Sequence, residues 1–217
     1  MTTSSKGRVV LGSVFGNRLN LNGDQGNLLA LKKYLEVAGF EVEVVGVGDT
    51  SAALNAHFLL FGHGSQAAMN SIDARLEKMD WQVVTAAVPG LAVGSAVEWL
   101  AATNLLAPVK RRAERVSQFE TGELGNLRVL GYRNSDSDLP NIQMHNQFIA
   151  TMLHGPVLAK NPRLLHKAAQ AAVKCAGLEF PKVAPETLSA WVEQLNQISE
   201  RIWALETDET FVKLELV

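Results

Sequence analysis

Three short stretches of this chain carry the residue types from which a reaction site is built. Gly62-His63-Gly64-Ser65 directly follows the apolar run His57–Phe61. Two glycines around a histidine leave the backbone free to turn its N–H groups toward a substrate oxygen; they also suit the plain turn that ends a buried strand. His154 stands between the apolar run Gln147–Leu153 and the turn-forming pair Gly155-Pro156. An imidazole there fits acid–base work near neutral pH, or a structural hydrogen bond. Ser95 follows Gly94 where the short apolar strand Leu91–Val93 meets the helical stretch Ala96–Leu106, a place that invites a nucleophile. The G-x-S-x-G elbow pattern is not met, because Val93 and Val97 stand where it needs glycines. A fourth cluster, Asn20, Asn22, Gly23, Asp24 and Asn27, is polar and turn-prone, and Asp24 is placed to cap the helix that follows.

Other chemistries lack their residues. His57 and His63 are six apart on a strand and a loop, and Cys175 has no partner cysteine, so no metal is expected. Neither a Walker A loop nor a dinucleotide G-x-G-x-x-G occurs, and no cofactor is expected. Twenty Lys and Arg against 22 Asp and Glu leave a net charge of −2, which argues against a nucleic-acid partner. No apolar run approaches the roughly 18–20 residues that span a bilayer, and Met1–Gly7 is polar with no apolar segment behind it. A single cysteine excludes an internal disulfide framework. The expected location is the cytoplasm, with no transmembrane segment and no signal peptide.

The elements that would position these residues alternate between strand and helix. Arg8–Phe15 is a β-branched strand; a helix capped by Asp24 carries Leu28, Leu29, Leu31, Leu35 and Val37 and closes at Gly39. Phe40–Val47 alternates valine with glutamate, a strand with one wet face. His57–Phe61 predicts a buried strand, 71–87 a single helix and Leu91–Val93 another buried strand. Such alternation predicts a doubly wound, mostly parallel sheet with ligands at the carboxyl ends of its strands. Val109–Arg133 is more polar and predicts shorter, antiparallel strands, and Pro162–Ala176 an amphipathic helix. From Pro185 onward, Leu188, Val192, Leu195, Ile198, Ile202 and Leu205 recur at helical spacing, with Trp191 and Trp203 near the stripe. That helix packs on the domain's own core or docks a partner. The division expected is a domain over 8–180 and a helical extension and tail over 181–217.

Several segments resemble the CobB/CobQ-like class I glutamine amidotransferases, most closely the glutaminase subunit (GatD) of lipid II isoglutaminyl synthase. The opening Leu19-Asn20-Leu21-Asn22-Gly23-Asp24-Gln25-Gly26-Asn27 is similar to that subunit's opening block. Gly62–Gln66 resembles its oxyanion loop and Pro89-Gly90-Leu91 the lead-in to its nucleophile strand. Leu153-His154-Gly155-Pro156 followed by Lys160-Asn161-Pro162 resembles its LHGP and KNP segments. The resemblance implies a three-layer flavodoxin-like α/β fold and a glutaminase chemistry in which a cysteine on a tight strand-to-helix elbow attacks the glutamine side-chain amide. It assigns the proton-relaying histidine to His154. It also implies a partner: a Mur-ligase-like subunit (MurT) that takes the released ammonia to amidate lipid II.

The same resemblance places Gly94 at the cysteine position, where there is no side chain to attack anything. The motif's glutamine becomes Glu98, an oxyanion-loop position becomes His63, and Gly131-Tyr132-Arg133-Asn134-Ser135 matches a segment that has lost its histidine. Cys175 lies on a late helix and does not substitute. The expectation is therefore a GatD-like subunit paired with a MurT-like ligase, with glutamine hydrolysis lost or strongly reduced. Glutamine or a related small amide would be held by Gly62, His63, Gly64 and Arg111 or Arg112. The alternatives are an active glutaminase using Ser95 with His154 as base, or a cobyrinate-type amidotransferase relative.

Overall fold

The apolar run after Gly7 forms β1 (Arg8–Val14), the second strand of a six-stranded sheet. The computed structural model describes residues 6–216, so Met1–Ser5 and Val217, including most of the polar N-terminal stretch, lie outside the described residues. Next come α1 (Gly26–Val37), β2 (Glu41–Val47), α2 (Thr50–Leu54), β3 (Phe58–Phe61), α3 (Gln66–Leu76), α4 (Trp81–Ala87), β4 (Gly90–Val93) and α5 (Ser95–Ala102). A long hairpin, β5 (Arg111–Leu124) and β6 (Leu127–Ser137), precedes β7 (Ile142–His145), β8 (Phe148–Thr151) and β9 (Leu153–His154). The chain ends with α6 (Val157–Lys160), α7 (Pro162–Cys175) and α8 (Glu186–Glu206).

The main sheet has the order β2-β1-β3-β4-β8-β7, parallel throughout except where β7 pairs antiparallel with β8 at the edge. Its parallel part has the flavodoxin-like order 2-1-3-4-5. Strand period sorts the core into two: Phe58, Leu60, Leu91 and Val93 face one layer with α1, α7 and α8, while Leu59, Phe61 and Ala92 face the other with α3, α4 and α5. Both faces are thus covered by helices, which is why β3 and β4 are buried at every residue. The fold is the three-layer, mostly parallel α/β architecture expected, with a C-terminal helix.

Four local expectations are corrected. Asp24 does not cap α1, whose N-cap is Gln25 with no side-chain bond; its carboxylate is spent on more distant loops. The helix expected over 71–87 is two helices, α3 and α4, the second capped by Asp80, whose carboxylate accepts from Val83 N. The polar middle of the chain forms not short strands but a hairpin of 14 and 11 residues, paired with β9 in a separate three-stranded sheet of order β5-β6-β9. On α8, Ile198 and Leu205 of the expected stripe are exposed, while Leu188, Val192, Asn196, Ser199 and Trp203 are buried. Leu188 and Val192 join the core shared with α1 and α7, so α8 packs on its own domain.

Candidate active site

The carboxyl ends of β3, β4 and β8 converge on a cavity of about 370 Å³. Its floor is the turn from β4 into α5. Gly94 forms the apex at φ +55 and ψ −112, its N–H donating to Thr151 O at 2.9 Å and its carbonyl accepting from Glu98 N at 3.1 Å. A sharp strand-to-helix turn of this kind presents a nucleophile at the top of an α/β sheet, at the cost of strain for any residue with a Cβ. Here the apex is a glycine. A Cβ at that position would stand 2.5 Å from Cε1 of His154 and 2.7 Å from Nδ1 of His63, so the space of the missing side chain is already filled.

The two backbone donors flanking the apex are committed as well. Ser95 N donates to Nδ1 of His63 at 3.0 Å, and Gly64 N donates to Oγ of Ser95 at 2.9 Å. An oxyanion hole built here would use these N–H groups, one following the apex and one from the loop after β3. Both instead hold side chains of the protein. The rings of His63 and His154 meet edge to face, with centroids 4.5 Å apart.

The blocks singled out in the sequence are the scaffold of this site and bond to one another. Fully buried Asp24 accepts from His63 N at 3.0 Å through one carboxylate oxygen and from Gly155 N at 3.2 Å through the other, tying the loop after β3 to the turn after β9. Asn27 donates to Gly155 O at 3.1 Å and accepts from Leu158 N at 2.8 Å. Asn22 Nδ2 lies 3.0 Å from Nδ1 of His154. Asn161 fastens the far end: its amide bonds both N and O of Leu130 on β6, and Val157 O. Gly155 makes its turn at φ +78, a conformation open to glycine at little steric cost.

Burial governs the proton affinities. Asp24 is pushed up to about 6 by desolvation, against the lowering effect of the His63 and Gly155 amides. His154 is pushed down to about 4 by burial and then by neighbouring His63, so it is neutral at pH 7. Its Nε2 is buried, and a contact with the Asn134 backbone opposes the lowering. His63 is also held below the usual histidine range, by burial first, with Glu98 opposing.

The remaining walls come from α5 and the hairpin. Arg111 is bidentate to Glu98, at 2.9 and 3.2 Å, and reaches Asp136 at 2.6 Å; Arg115 donates to the Asn134 side chain at 2.7 Å. Arg111 lines the cavity together with His63, Gly64, Gly94, Ser95 and His154; exposed Arg112 and buried Gly62 are not among its lining residues. Cys175 is on α7, with its sulfur 4.0 Å from Ala87 O, outside the cavity. Sequence reasoning missed Arg115 and Asp136, which alternate with other polar residues along the hairpin and carry no motif. Arg133, in the segment Gly131–Ser135 singled out in the sequence, is buried and not among the lining residues; its guanidinium is held by the carbonyls of Ser137 and Leu139 and the side chain of Asn141. Among the described residues, no group of three or more His, Cys, Asp or Glu could hold a metal ion, and no helix is long and apolar enough to cross a membrane.

No family model and no curated protein sequence matches the chain. Solved structures do. A glutamine amidotransferase from Thermotoga maritima aligns over 91% of this chain and 94% of its own at 12% identity and a TM-score of 0.46. The glutaminase domain of CTPS from Trypanosoma brucei, with bound acivicin, aligns over 82% and 98% at 11% identity and 0.47. A ThuA-like protein from Bacteroides uniformis aligns over 80% and 94% at 10% identity and 0.45. The chemistry of the site accordingly rests on its own geometry.

Proposed function

We propose that this chain is a glutamine amidotransferase-type subunit that no longer hydrolyses glutamine and acts by binding, in the cytoplasm, beside an ammonia-using ligase. The carrying observation is the apex of the elbow: Gly94 supplies no nucleophile, and His63 and His154 fill the place of its side chain. The specific motif blocks retained around it, Leu19–Asn27 and Leu153–Pro162, are those that resemble GatD. On that resemblance the partner is a MurT-like ligase and the setting is amidation of the peptidoglycan precursor lipid II. The ligand read for the cavity is glutamine or a related small amide, facing Gly64, His63 and Arg111, with Gly62 behind them.

Ser95 is a poor substitute nucleophile in this geometry. Its Oγ is engaged by Gly64 N, and a serine hydroxyl depends on a strong base, whereas His154 holds a proton only below about pH 4. The test is glutamate release from glutamine by the purified chain, alone and with a Mur-ligase-like partner, against Ser95→Ala and His154→Ala. The expected result is no turnover above buffer in any of them. Turnover that both substitutions abolish would make the protein a serine glutaminase and overturn this reading.

A further inference from the structure

The closed elbow keeps one donor that its closure does not use. A backbone N–H only donates, so Nδ1 of His63, which takes the amide proton of Ser95 at 3.0 Å, carries no proton of its own. Burial holds this imidazole below the usual histidine range, so the ring is neutral at pH 7. Its single ring proton therefore sits on Nε2. His63 is half-buried and lines the cavity, and its Nε2 has no hydrogen-bond partner among the described residues. Unlike Nε2 of His154, it is not a fully buried atom. The ring thus passes the lost donor on: the Ser95 N–H enters at Nδ1, and Nε2–H is left for the cavity. A hydrogen bond received at one ring nitrogen polarises the imidazole and alters its donor strength at the other.

The charges around it decide what such a donor meets. Glu98 and Asp136 line the same cavity, but both already lie in ion pairs with Arg111. Arg115 has the opposite standing. It is close enough to His63 to lower its proton affinity, its partners are the two oxygens of Asn134, and no carboxylate is within ion-pair distance of it among the described residues. An N–H beside an unneutralised guanidinium accepts the company of an oxygen, neutral or anionic, and His63 itself offers nothing to the NH₂ of an amide. We propose that His63 is the specificity-determining residue of this cavity, donating its Nε2–H to a terminal carbonyl or carboxylate oxygen of the ligand, so that glutamate and glutamine bind with comparable affinity. This rests on the reading of the cavity as a site for glutamine or a related small amide. A ligand with no oxygen at its end would leave the donor unpaired and bind more weakly.

Ligands of similar length separate the cases: glutamine, glutamate and norleucine, each titrated calorimetrically into the full chain. Glutamine and glutamate should bind within about threefold of each other, and norleucine about tenfold or more weakly. His63→Phe keeps a ring without nitrogens and should bring norleucine level with glutamine. His63→Gln, whose amide can accept from Ser95 N and still donate, should keep the preference. In ¹⁵N-labelled protein, the imidazole signals of His63 should show the proton on Nε2 before any ligand is added, and the Nε2 signal should move with glutamine and with glutamate. A proton on Nδ1, an Nε2 signal unmoved by saturating glutamine, norleucine binding as tightly as glutamine, or glutamate binding about tenfold more weakly would each overturn the assignment to His63 while leaving the cavity a glutamine site. No binding by any of these ligands would instead overturn the reading of the cavity on which the assignment rests.

Discussion

Nδ1 of His63 accepts the amide proton of Ser95 at 3.0 Å and sits where a side chain on Gly94 would begin. One ring thus does two things: it fills the space of an absent nucleophile and satisfies a donor that would otherwise face a substrate oxygen. The Oγ of Ser95 does the same for Gly64 N. The two contacts are reciprocal, since each of the neighbouring segments lends a side chain to the other's backbone. A polar pocket emptied of its chemistry would leave buried N–H groups unpaired, and these contacts remove that cost.

Restoring a nucleophile therefore requires two changes. Gly94→Cys alone places a Cβ at φ +55 against two imidazoles and should lower stability by about 1–3 kcal/mol without creating turnover. Adding His63→Gly opens the space and frees Ser95 N. The double variant should regain only part of the lost melting temperature, because the positive φ and the contact with His154 remain, but its introduced thiol should react with iodoacetamide several-fold faster than in the single variant. Equal alkylation rates in the two would show that His63 does not close the site.

Asp24 and His154 give opposing pH dependences. Asp24 has its pKa raised from 3.8 to about 6, so the folded state binds the proton more tightly and this group's contribution to stability falls as pH rises through 4 to 6. His154 has its pKa lowered from 6.5 to about 4, so its contribution falls as pH drops through the same window. Each shift is worth about 3 kcal/mol, and in the native protein the two nearly cancel. His57, His63 and His166, all held below the usual histidine range by burial, add a further loss toward acid, so urea midpoints of the native chain should fall from pH 6.5 to pH 4. Relative to it, His154→Gln should lose less stability toward pH 4 and Asp24→Asn more. Parallel slopes in the two variants would contradict the assignment.

The parts of this architecture readable in advance were those whose signals are local. The all-apolar β3 ending in Gly62 and the β4 run ending in Gly94 announce buried parallel strands and the turns at their ends. Asp24 was misread because its local pattern is that of a helix cap, while its partners are 39 and 131 residues away. The hairpin was read as short because β5 is exposed at most positions and shows no clean two-residue period. On α8 the periodicity was sound and so was most of the face, with Leu188 and Val192 in the core and Leu195 packed against it, but Ile198 and Leu205 are exposed. Buried Asn196 and Ser199 lie where an apolar rule would put Leu195 and Ile198, because the tail folds back over that side.

Asn161 stands in for a strand. β9 pairs with β6 only at Tyr132 and Arg133, and beyond it Asn161 gives Leu130 both an acceptor and a donor at 2.9 Å while also bonding Val157 O at 2.8 Å. Asn161→Ala would leave buried backbone groups without partners and should cost about 3 kcal/mol or more. Asn161→Asp should be at least as harmful, since it keeps the acceptor but turns a charged oxygen toward two carbonyls. A urea titration comparing the two variants tests this, and a milder effect for the aspartate would count against a paired-amide role.

The backbone of the C-terminal tail is fastened to α8 by Asn196. Asn196, 2% exposed on α8, donates to Leu214 O at 2.9 Å and accepts from Leu214 N at 3.0 Å, a closed pair that fastens the tail across the helix. Leu214 thereby joins the core shared with α1 and α7. Asn196→Ala removes both bonds and should cost about 1–3 kcal/mol, most of it local to the tail. Hydrogen exchange separates local from global loss. Exchange at Leu214 N should rise far more than exchange at the buried strands β3 and β4, whose opening needs the whole domain. A uniform rise across both would mean that the tail does not open independently of the domain it crosses.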